Sequence, residues 1–263
     1  MPGVYANALR QAARRRLLPV TGDYLAWRVR GSLLPTVEAY GPCLLNDILP
    51  AFSNLEKRAD EVADMEYARL GALPATDDFD GDMGVLAEQA SDKGQAFYET
   101  MVAMRQATLN LFSAGLFHLV EQKLTELCND ASFPMDPPDT NLGAVRDWYQ
   151  RHLRLDLQQL RSWPMIEELR LLANAVKHAE GSTERQLRER QQLRERRPQL
   201  FEHPLTRKLG PDAPRIERPL RQPLAGEDLY VTDGLFGEYA TAVVGFFHAL
   251  AEHFDTHGRE QYP

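Results

Sequence analysis

The chain has 263 residues, of which 43% are hydrophobic and 26% charged, a balance that suits one large or two small globular domains with a sizeable core. Its formal net charge of −8 excludes a protein that wraps nucleic acid over its whole surface, because attraction to phosphate needs positive potential. Cys43 and Cys128 form neither a CxxC pair nor a disulfide framework, and no run reaches the ~20 consecutive apolar residues of a membrane span, so the expectation is a cytoplasmic protein with no membrane association and no redox or zinc role.

Two helical pieces are expected first, Tyr5 to Leu18 and Asp23 to Leu34, with Asp23 as an N-cap and Pro19 and Pro35 as punctuation. Pro42 and Pro50 interrupt the next stretch of chain. Residues 51–73 then spread their charges as a solvated helix does, with Ser53 or Asn54 as the cap. Residues 74–84 form an acidic loop whose Asp-x-Asp-Gly pattern suggests calcium. An EF-hand counted from Asp77 needs glycine at its sixth position, where Asp82 stands, so a plain acidic loop is the better reading.

The longest helical signal runs from Val85 to Leu127. Leu109, Phe112, Leu116, Leu119, Val120, Leu124 and Leu127 recur at steps of 3 and 4 and make a core-facing stripe. A further helix is expected over residues 142–160. Another is opened by Ser162, carries Pro164 in its first turn and is closed by Gly181. Residues 182–209 read either as a short charged helix or as a basic excursion. Prolines at 198, 204, 211, 214, 219 and 223 then force a long connection. A last amphipathic helix, capped by Thr232 or Asp233, turns Leu235, Tyr239, Val243, Phe246, Phe247, Leu250 and Phe254 inward. Only residues 229–231 hint at a strand. The expected architecture is an all-α bundle, with an N-terminal helical extension over residues 1–84 and the main bundle over 85–263, into which a basic, proline-rich insertion enters at about 182–228.

Charge is uneven along this framework. Residues 52–100 carry 12 acidic and 4 basic side chains, whereas residues 182–221 carry 11 basic and 6 acidic ones. One basic region therefore stands on an acidic body, and Arg185, Arg188, Arg194 and Arg197 are its candidate RNA contacts. His248, His253 and His257, with Glu252, have helical spacing but no assigned third ligand, so they read as complements to a helix C-terminus; no metal or cofactor is expected.

The most informative stretch is Glu168 to Thr183, "ELRLLANAVKHAEGST". Met165, Ile166, Leu169, Leu172, Ala173 and Val176 form the core face of its helix, and Arg170, Asn174 and His178 succeed one another at steps of 4 on another face, near Glu167 and Lys177. An imidazole suits proton transfer in water, and a guanidinium with an amide can hold phosphate; together they suit attack of a ribose 2′-hydroxyl on the adjacent phosphodiester. The equally simple alternative is a polar helix face ending in cations that complement the helix dipole. His118 and Glu121, one turn apart on the long helix, are candidate support, as a carboxylate orienting an imidazole and facing His178 across the bundle.

The run "NAVKHAEG", with the upstream "NLFSAGLFHLVEQKL", resembles the two core helices of the HEPN superfamily of small α-helical domains. The resemblance covers about 100 to 150 residues, mainly Met104 to Gly181. It implies a prokaryotic protein of RNA metabolism, toxin or antiviral defence systems, with a metal-independent ribonuclease site at a homodimer interface. His178 then matches the family histidine and Asn174 the polar position. The family arginine would fall at 171, 172 or 173, which are Leu171, Leu172 and Ala173; Arg170 lies one residue outside that range. The resemblance supports two readings: an endoribonuclease using His178, Asn174 and Arg170 with Lys177 nearby, or a non-catalytic, antitoxin-like module that binds a protein partner.

Overall fold

A computed structural model describes residues 20–72, 83–130, 133, 135–136, 138–139, 141–178, 183–203 and 229–262. The expected helix over residues 5–18, most of the acidic loop at 74–84, Gly181 and most of the proline-rich connection lie outside the described residues.

The fold is all-α. Its first helical column is α1 (Gly22–Arg28) and α2 (Leu34–Pro42), joined by a π-helical turn at Val29–Leu33 and continued by a second at Cys43–Ile48 and a 3₁₀ turn at Leu49–Phe52. Pro35 and Pro42 therefore do not end the helix. A proline removes one N–H and crowds the preceding turn; widening to a π turn, as where the Leu34 N–H reaches back to the Val29 carbonyl, absorbs both effects. The N-cap is Thr21, whose hydroxyl accepts from the Tyr24 N–H at 3.3 Å, and Asp23 occupies the first turn instead.

α3 (Leu55–Gly71) and the first half of α4 (Met83–Cys128) form an antiparallel pair. They approach through small residues. A Cβ on Gly94 would stand 2.8 Å from the Ala59 carbonyl oxygen and 3.1 Å from the Ala63 Cβ, so only glycine permits this spacing. Asn54 opens α3 in the left-handed region, at φ 53°, without a side-chain cap. At 46 residues α4 is about 69 Å long, and its second half enters the core with Leu109, Leu116, Val120, Leu124 and Leu127 fully buried.

α5 (Leu142–Leu153) is shorter than its sequence suggested. It stops where Arg154 adopts φ 53°, and a 3₁₀ turn (Leu157–Gln159) replaces its last turns. α6 (Trp163–Lys177) and α7 (Glu184–Arg196) run antiparallel, α7 leading into a 3₁₀ turn at Pro198–Phe201. The segment Leu229–Val231 has no regular secondary structure and is pinned to α4: Asn110 donates to the Leu229 carbonyl at 2.8 Å, and Gln106 donates to that of Val231 at 2.9 Å. The two-residue strands are elsewhere, β1 (Val20–Thr21) pairing antiparallel with β2 (Gln261–Tyr262).

α8 (Asp233–Thr256) is the core helix. Thr232 caps it, accepting from the Leu235 N–H at 3.2 Å, and Leu235, Tyr239, Val243, Phe246, Phe247, Leu250 and Phe254 are all buried, against α1, α2, α6 and α4. It is long and apolar enough to cross a membrane by length and composition, yet its aromatic face lies within the protein core.

Candidate functional site

α6 occupies a central position, and this decides what its polar residues can do. Ile166, Leu169, Leu171, Leu172, Ala173, Ala175 and Val176 are buried, so the apolar face is wider than the single stripe expected from spacing. What remains is a narrow half-buried strip of Glu167, Arg170 and Asn174, and α7 folds back across it.

Arg170 and Asn174 are brought together by a residue that sequence reasoning did not select. Arg170 gives Nε and Nη2 to Oε1 of Glu167, at 3.0 and 2.8 Å, and Nη1 to Oε1 of Glu189 at 2.9 Å. The Asn174 amide donates to the other oxygen of Glu189, also at 2.9 Å. Arg185 reaches the same carboxylate from one turn earlier on α7, at 3.3 Å. Burial alone would push the Glu189 carboxyl upward, but the hydrogen bonds and charge of Arg170, aided by Asn174 and Arg185, hold it below the usual carboxylate range. Burial likewise opposes the Arg170 charge, and its two carboxylates outweigh that, raising its pKa. One anionic group thus binds a guanidinium and an amide through two oxygens.

His178 lies outside this cluster. α6 ends at Lys177, four residues before the expected stop at Gly181, and His178 leaves helical geometry at φ −125° while its N–H still bonds the Asn174 carbonyl at 3.0 Å. The register of Arg170, Asn174 and His178 therefore breaks at its last member. Lys177 and His178 are both exposed, at the end of α6 from which the chain passes on to α7. Eight residues of helix would separate Arg170 and His178 by about 12 Å.

The supporting candidates scatter. His118 pairs with its neighbour Glu121 at 3.2 Å on an exposed part of α4, and neither makes a hydrogen bond to His178 among the described residues. Arg188 bonds Glu184 on its own helix, and Arg194 stacks 4.7 Å from the centre of the Phe201 ring. Arg197 turns inward, donating to Glu168 at 2.7 Å; Tyr239 of α8 donates its hydroxyl to the same oxygen at 2.8 Å. Burial, with the adjacent Glu168 charge, drives the Tyr239 pKa upward, so this phenol stays protonated as a donor. His253 and His257 stack at 4.4 Å, and His257 Nδ1 meets the His253 carbonyl at 2.8 Å. Among the described residues no group of three His, Cys, Asp or Glu side chains is placed to hold a metal.

Glu168 and Glu189 escaped sequence reasoning for a physical reason. Glu189 sits in a run of alternating charge, where a carboxylate is ordinarily solvated, Glu168 follows a second glutamate, and the partners of both are set by how α7 folds back. A carboxylate on the core side of α6, between Ile166 and Leu169, was the one available signal for Glu168. No family model, no curated protein and no solved structure matches this chain.

Proposed function

We propose that this is a HEPN-like protein of prokaryotic RNA metabolism or defence, and that the strip along α6 is its RNA site, working as a metal-independent endoribonuclease. His178 is the proton-transfer group, acting on the ribose 2′-hydroxyl or on the leaving oxygen, and Asn174 and Arg170 hold the scissile phosphate, with Lys177 adding positive charge. Arg185 and Arg188 of α7 guide the RNA backbone. The observation that carries this reading is the exposure of His178 and Lys177 at the end of the helix that also carries Asn174 and Arg170. Because Arg170 and His178 lie far apart along α6, the reading places the protein as a cytoplasmic homodimer in which a second copy brings an arginine toward His178.

The engagement of Arg170 by Glu167 and Glu189 favours a second reading, a non-catalytic HEPN-like module, antitoxin-like or partner-binding, in which the same residues serve packing. Labelled RNA incubated with the purified protein separates the two. The nuclease reading expects cleavage that persists in EDTA and falls at least about a hundredfold in His178→Ala. Intact RNA at high protein concentration contradicts it and leaves the binding module.

A further inference from the structure

We infer that Glu189 is an internal stand-in for phosphate, so that the first half of α7 is a latch which must swing away before Arg170 and Asn174 can hold a phosphodiester. This rests on the reading of the α6 strip as the RNA site. The chemistry of the contact points to it: one group with a negative charge offers two oxygens, one to a guanidinium nitrogen and one to a carboxamide, as the two nonbridging oxygens of a phosphodiester would. Glu167 grips the other edge of Arg170 and so keeps Nη1 aimed at that position whether or not Glu189 is present. Glu167 also balances the Arg170 charge, and a phosphate there would meet it as a neighbour.

The anchoring of α7 is lopsided in the way a latch requires. Its second half is fixed by Leu193, which is fully buried, and by Arg197 on Glu168, with Leu200 buried just beyond. Its first half has no buried residue of its own: Leu187 is 55% exposed, and Glu189 supplies two hydrogen bonds across to α6. The Thr183 capping box keeps that half helical, so it can leave as a unit, pivoting near Leu193. Loss of Glu189 from the strip adds one unit of positive charge there, which raises attraction for polyanions.

The test is fluorescence anisotropy of a short fluorescein-labelled oligouridylate titrated with the full chain at low salt. Glu189→Gln should bind about tenfold more tightly than the parent protein, and the gain should vanish when Arg170→Ala is added. Equal affinity of the parent and Glu189→Gln, or a gain that survives Arg170→Ala, overturns the latch. Amide hydrogen exchange of the unmodified protein gives a check that needs no variant: saturating oligouridylate should speed exchange at residues 184–190 while residues 193–201 stay protected, and unchanged exchange in the first half also overturns it. A gain in binding with no cleavage by any variant keeps the latch and removes the nuclease, whereas cleavage by the parent protein as fast as by Glu189→Gln removes the latch and keeps the nuclease.

Discussion

Glu168 is the buried charge among the described residues, and it links three segments: α6, which carries it, Arg197 after α7, and Tyr239 of α8. Removing one member of a buried, hydrogen-bonded ion pair strands the other. Glu168→Ala should therefore lower stability by about 3 kcal/mol in urea unfolding, and Tyr239→Phe by about 1 kcal/mol, since only one hydrogen bond is lost there. Glu189 gives a pH-dependent counterpart. Its carboxyl is held below the ordinary value of 4.5, so its contribution is present above that pH and disappears as pH falls through the lower, folded value. The stability gap between the parent protein and Glu189→Gln should be full at neutral pH and close in acid; a gap that is constant with pH would mean that the charge of Glu189 is not what holds the first half of α7. At this scale the sequence disclosed apolar identities well, because periodicity alone places Leu169, Leu172 and Phe246 in the core. It could not disclose that Arg170 and Asn174 share a carboxylate, because that pairing depends on the angle at which α7 returns.

Among the elements, α7 and the α3–α4 pair are the least firmly built. α7 offers the core one buried leucine from thirteen residues, whereas α8 offers nine buried residues from twenty-four. Native-state hydrogen exchange should accordingly show α7 opening at lower free energy than α6 and α8, and Leu193→Ala should widen that difference by about 2 to 3 kcal/mol. In the α3–α4 pair the close approach at Gly94 is the weak point. Gly94→Val should separate the helices and lower the melting temperature, with a loss of about 1 to 3 kcal/mol, while α8 keeps its protection. Helix existence was legible where long apolar stripes define α4, α6 and α8, whereas α7 read equally as a charged helix or a basic excursion and α2 was not expected. Helix ends and continuity were less so: Pro35 and Pro42 carry a local stop signal, and the chain continues through π-helical turns, the first of them packed beside α8.

At the scale of the whole molecule, charge and packing separate the ends of the protein. The α3–α4 pair carries an acidic excess, with Glu56, Asp60 and Asp64 along one groove, and α7 carries the arginines. Part of the basicity of α7 is answered within the helix, Arg188 by Glu184 and Arg185 by Glu189, which also engages Arg170 of α6. What composition and periodicity did convey was the all-α class and the shared core of α4, α6 and α8. The most direct measurement is photocrosslinking of the full chain to a short RNA containing 4-thiouridine, with the attachment points mapped by mass spectrometry. RNA recognition along the α6 strip predicts crosslinks concentrated within residues 170–188, and lost on competition with unlabelled RNA. Crosslinks confined to the α3–α4 pair, or none above background, would contradict it.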